Sequence, residues 1–142
     1  MFRSLDDTPS RVAGDWPDDH PDQASPRDAF DRVRRRSLAL VSELAVEDMG
    51  VQPRPETSPP RWHLAHTSWF FETFLLRPFQ PGYRSPDDRY EHLFNSYYNA
   101  VGEQYPQARR GDLSRPTVAE VMDYRSAVDA AMGRLLADPG PH

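Results

Sequence analysis

The chain contains no cysteine and no lysine. Without cysteine there is no disulfide, no thiolate metal site and no thiol nucleophile. The basic residues are all arginine, which reads as the codon bias of a GC-rich genome. Apolar residues are scarce at 37%, and the mean hydropathy is −0.80. No apolar run approaches the roughly 20 residues of a membrane span. The first residues are acidic and lack the basic-then-apolar pattern of a signal peptide, so a cytoplasmic protein is expected. Beyond Arg34-Arg35-Arg36 there is no basic cluster, and the net charge is −5; this argues against nucleic acid as a partner. There is no glycine-rich phosphate loop, no nucleophile elbow and no distinctive carboxylate pair.

Proline, by contrast, is abundant, with 15 residues in a chain of 142. That length suits one domain. Residues 1–24 carry Asp6, Asp7, Asp15, Asp18, Asp19 and Asp22 among three prolines, a composition that predicts a disordered acidic tail. Trp16 and His20 fall there as solvated bystanders. Residues 25–138 read as the folded part and 139–142 as a frayed end.

Within the folded part the pattern is all-helical. Ser25 and Pro26 begin a first helix, with Asp28 in the capping-box position. Phe30, Val33, Ser37, Leu40, Val41 and Leu44 form its apolar stripe, and Arg32, Arg34, Arg35 and Arg36 are expected on the solvated face. A proline-rich linker leads to a second helix, with Ser58 as N-cap and Pro59 as first residue, running to Leu76. It is apolar almost all round, as a central helix should be. The spacing of Tyr90, Leu93, Phe94, Tyr97, Tyr98 and Val101 predicts a third helix from Ser85 to Val101, stopped by Gly102. Phe70, Phe71, Phe74, Tyr97 and Tyr98 are expected in the core. Thr117 and Glu120 make a capping box for a last helix, whose apolar face includes Val118, Val121, Met122, Val128 and Met132. No strand is expected.

Chemistry concentrates in the second helix. Trp62, His66, Trp69 and Thr73 share one face, so His66 points toward the core and needs a hydrogen-bond partner or a metal. On pattern alone a satisfied core histidine is the commoner outcome. His63 lies about 60° round the helix from His66, near enough in principle to share an ion. His92 could reach His66 only through tertiary packing, and His142 is terminal. Pooling such histidines across a homodimer is one way to a metal site. Arg109-Arg110 reads as a solvated loop pair, with a bidentate carboxylate clamp as the alternative.

Three blocks carry a resemblance. They are Ser58 to Phe74 (SPPRWHLAHTSWFFETF), Leu93 to Glu103 (LFNSYYNAVGE) and Arg109 to Val121 (RRGDLSRPTVAEV), followed by Tyr124-Arg125 and Val128-Asp129. Over roughly residues 29–136 the chain resembles the N-terminal DinB-like domain of hercynine oxygenases, the sulfoxide synthases of ergothioneine biosynthesis. The resemblance implies an up-and-down helical bundle of three to four helices. It implies one non-haem iron(II) held by three histidines, the first matching His66 and two from a His-x-x-x-His-x-Glu run on a later helix; His63 matches a position that does not ligate. It implies an O₂-dependent reaction that joins a cysteine-type thiol to the imidazole ring of hercynine and leaves a sulfoxide. Arginines near the Arg109-Arg110 block bind the thiol's carboxylates in some members.

The run His-x-x-x-His-x-Glu is expected just after Leu136. The sequence there reads Asp138-Pro139-Gly140-Pro141-His142. Two ligands and the family's C-terminal catalytic domain are therefore expected to be missing. One imidazole does not hold iron(II), and the bundle is expected to be incomplete and inactive alone. A C-terminal fragment or a second copy would then cover the apolar groove left by the missing helix. The competing expectation is a non-catalytic interaction module that associates through that groove.

Overall fold

The computed structural model describes residues 24–138. The expected acidic tail, except for Ala24, and the end at 139–142 lie outside the described residues, as do Trp16, His20 and His142. Among these residues there are five α-helices: α1 (Pro26–Ala39), α2 (Pro60–Phe71), α3 (Arg77–Phe79), α4 (Tyr90–Phe94) and α5 (Val118–Ala137). A π-helical turn, Glu72–Leu76, joins α2 to α3, and 3₁₀ turns occupy Asp48–Gly50 and Gln107–Asp112. Among the described residues there is no strand, and no helix is long and apolar enough to cross a membrane.

Local chemistry sets the helix starts. Ser25 Oγ accepts the Asp28 N–H at 3.1 Å, with Pro26 in the first turn where its missing N–H costs nothing. Thr117 and Glu120 form the reciprocal box that opens α5. α2 begins one residue later than expected, behind Pro59, and Ser58 is not its cap. The core lies mainly between α2 and α5, with α1 resting on α5. Trp62, Leu64, Trp69, Leu76, Phe94, Val121, Tyr124, Val128 and Met132 fill it.

The expected face of α1 is wrong. Val33 and Leu40 are 58% and 76% exposed, whereas Arg34 is buried beside Phe30. α1 ends at Ala39, so the later part of the stripe never joins a helix. Arg34 turns inward because partners wait for it: Nε donates to Asp129 at 2.6 Å and Nη2 to Ser68 Oγ at 2.8 Å. Its guanidinium also faces the rings of Phe30 and Phe71. Arg125, fully buried on α5, donates to the Arg34 carbonyl at 2.8 Å and to Ser37 Oγ. These two arginines tie α1, α2 and α5 together through hydrogen bonds that offset their desolvation.

The third helix is also shorter than expected. It stops at Phe94 because the buried Asn95 side chain takes over the backbone. Asn95 Oδ1 accepts the Tyr98 N–H, and Nδ2 donates to the carbonyls of Tyr98 and Gly102. This local competition replaces a helix with a turn. Tyr97 and Tyr98 consequently lie outside the core, 72% and 38% exposed, and Phe70 is 36% exposed.

Candidate functional site

The face of α2 that carries Trp62, His66 and Trp69 meets the C-terminal end of α4. Two consecutive α4 carbonyls orient two rings: Leu93 O accepts Trp62 Nε1–H at 2.9 Å, and Phe94 O lies 2.7 Å from His66 Nδ1. A carbonyl only accepts, so Nδ1 carries the proton and Nε2 keeps its lone pair. The His66 ring stacks on Trp62 at 4.7 Å and 11° and on Trp69 at 5.5 Å and 21°.

Arg110 completes the stack. Its guanidinium carbon sits 3.5 Å from the centre of the Trp62 ring. Nη1 donates to Ser58 Oγ at 2.9 Å, while Nε and Nη2 are buried with no hydrogen-bond partner among the described residues. Arg110 is 3% exposed, so the solvated-pair reading fails for it. Arg109, one residue earlier, points away and pairs with Asp112 at 3.1 Å in the open. The two arginines look alike in sequence and are sorted only by Trp62 and Ser58, which lie about fifty residues upstream.

Gln52 holds the 3₁₀ turn that presents Arg110. Its Nε2 donates to the carbonyls of Thr57 and Gln107, both at 2.8 Å, and its Oε1 accepts the Gly111 N–H. A Cβ on Gly111 would lie 2.7 Å from Gln52 Cβ, near the root of that side chain, where it cannot swing aside. Gly111→Ala is therefore expected to cost roughly 1–3 kcal/mol and to loosen Arg110, read by thermal melts and by hydrogen exchange across 107–112.

Ser58, Trp62, His63, His66, Tyr97 and Arg110 line an open cleft of about 440 Å³. A second groove of about 280 Å³, walled by Val33, Phe70 and Phe71, reaches His66 from the α1 side. Burial depresses the pKa of His66, opposed by its bond to Phe94 and reinforced by the positive charge of Arg110. Burial and Arg110 depress His63 likewise. Ser58 and Tyr97 were not evident as cleft residues from the sequence. Ser58 read as a cap, and Tyr97 as a core position.

This has a pH consequence. Above the ordinary imidazole value of 6.5 both histidines are neutral in the folded and unfolded chains. Below it the unfolded chain takes up protons that the folded chain resists, so stability falls as pH falls. Tm is expected to decline between about pH 7 and pH 5, and His66→Gln should flatten that decline relative to the wild type.

His92 is not brought to the cleft. It is exposed, with Nδ1 2.9 Å from the Glu103 carbonyl. Among the described residues no three His, Asp or Glu side chains gather to hold a metal ion. His66, in the cleft, has the habit of a metal ligand, with Nδ1 fixed by the Phe94 carbonyl and Nε2 left as a lone-pair donor; His92 has a similar carbonyl contact but lies away from the cleft. One donor does not fit a three-histidine iron site.

The fold is an all-helical domain with a stacked histidine and a buried arginine on one cleft. Residues 29–141 match the DinB superfamily family model, and the chain belongs to that superfamily. No curated protein matches it.

Proposed function

We propose that the protein supplies the helical part of an iron(II)- and O₂-dependent sulfoxide synthase of ergothioneine biosynthesis, which joins hercynine and a cysteine-type thiol. The observation that carries this reading is the arrangement of His66 and Arg110 on one cleft, bridged by Trp62. In this role His66 Nε2 is one iron ligand, and Arg110 receives a carboxylate of the thiol; Arg109, turned away and paired with Asp112, takes no part. The other two iron ligands come from outside the described residues, on a further polypeptide or a second copy seated over the α1–α2 groove.

The test is co-expression with the polypeptide encoded beside it, followed by iron analysis and mass spectrometry for a hercynine-derived sulfoxide. The expected result is product only from the pair, abolished by His66→Ala. Iron-free, inactive preparations of the pair would overturn the reading.

A second reading has its own observation: the groove walls are apolar and partly exposed, with Val33 at 58% and Phe70 at 36%. In that reading the domain is a non-catalytic module that associates through this face. Light scattering should then show self-association, or a stable complex, that Phe70→Asp disrupts. A cooperative monomer with no companion argues against it.

A further inference from the structure

Trp62 is 4% exposed, and both faces of its indole are covered. The Arg110 guanidinium carbon lies 3.5 Å from the ring centre, and the His66 ring lies 4.7 Å away, nearly parallel at 11°. Two planar groups of that size at those distances overlap if they share a face, so they occupy opposite faces. The indole itself is anchored by Nε1–H to the Leu93 carbonyl. Among the described residues Arg110 also bonds Ser58 Oγ, and His66 also meets the Phe94 carbonyl and the Trp69 ring.

We propose that Trp62 is a positioning residue whose indole is the common plate that fixes His66 on one face and Arg110 on the other. The free nitrogen of the imidazole and the unpaired donors of the guanidinium then keep one spacing and move as a unit. The physical basis is a flat, buried π surface. It accepts a cation on either face and stacks with an imidazole. A flexible side chain of similar size fills the volume without defining either plane. What the two ends are for rests on the function proposed above; the plate itself does not, and its test needs neither iron nor substrate. Failure to find sulfoxide synthesis would leave it standing, and its failure would leave that activity open.

The experiment is nuclear magnetic resonance on the full chain with two reporters. The imidazole nitrogen shifts of His66 report whether it holds the single Nδ1–H form. The exchange of Arg110 Nε–H with water reports whether the guanidinium is held. Trp62→Phe keeps a flat, smaller face and loses the Leu93 bond and one ring of the indole, and Trp62→Met keeps apolar bulk without a plane. In Trp62→Phe both reporters are expected to stay as in the wild type, with Arg110 exchange within about threefold. In Trp62→Met both are expected to change, with mixed His66 tautomers and Arg110 exchange faster by about tenfold or more, while α5 amides stay protected. A Met variant in which either reporter is unchanged, or in which α5 amides accelerate in step with Arg110, overturns the proposal. If Trp62→Met does not fold, Trp62→Phe decides alone: loss of either reporter there also overturns it.

Discussion

Glu72→Ala is expected to cost roughly 3–5 kcal/mol, from a buried hydroxyl left without a partner, about 1–3 kcal/mol, together with the cavity opened, about 2 kcal/mol or more. Glu72 is fully buried in the π-helical turn after α2. Tyr83, in the loop before α4, donates its hydroxyl to Oε1 at 2.9 Å, and Tyr124 on α5 donates to Oε2. Burial first, and then the Glu72 charge, hold both phenols well above their ordinary pKa, so both keep the protons they donate. Alanine removes both acceptors together, leaves the Tyr124 hydroxyl without a partner in the core and opens a cavity. Glu72→Gln keeps the volume and one acceptor oxygen, while its amide lets the second phenol accept instead of donate. It should cost about 1–2 kcal/mol. Tyr124→Phe leaves one carboxylate oxygen unpaired and should fall between them. Urea melts of the three variants check the order Ala, then Phe, then Gln. A Gln variant as unstable as the Ala variant would mean that packing, not hydrogen bonding, sets the role of this residue.

This carboxylate also shows which parts of the molecule were legible in the sequence. The starts of α1 and α5 were legible because their causes are local: Ser25 with Asp28, and Thr117 with Glu120, meet within one turn. The inward turn of Arg34 was not, because its partner Asp129 is 95 residues away and periodicity counts an arginine as solvated. Glu72 fails in the same way: its partners lie 11 and 52 residues downstream. The end of α4 was hidden in a single residue, Asn95, whose side chain competes with the helix that the aromatic spacing suggests. In the site, the shared face of Trp62, His66 and Trp69 followed from spacing alone. The split between Arg109 and Arg110 did not, since nothing within a few residues of either distinguishes them.

Trp69→Ala is expected to remove roughly 3–5 kcal/mol, a large part of the about 5–15 kcal/mol that holds a domain of this size. Trp69 is 0% exposed. Its ring covers His66 on one side and meets Phe74 and Tyr98 at 6.0 and 5.8 Å. Alanine opens a cavity in the middle of α2 and removes one of the two rings that hold His66, so the variant should melt far below the wild type and lose near-ultraviolet circular dichroism. Trp69→Phe separates the two effects. The indole Nε1 is buried without a hydrogen-bond partner among the described residues, a group whose desolvation costs about 1–3 kcal/mol. Phenylalanine removes that group and most of its own penalty is smaller volume, so the net change should stay within about 1.5 kcal/mol. Calorimetry of Trp69→Ala, Trp69→Phe and His66→Ala gives the decisive comparison. His66 is only half-buried, so its loss should cost much less than that of Trp69. If Trp69→Phe melts as low as Trp69→Ala, the indole nitrogen is satisfied by a partner and the face around His66 is built more tightly than its ring contacts imply.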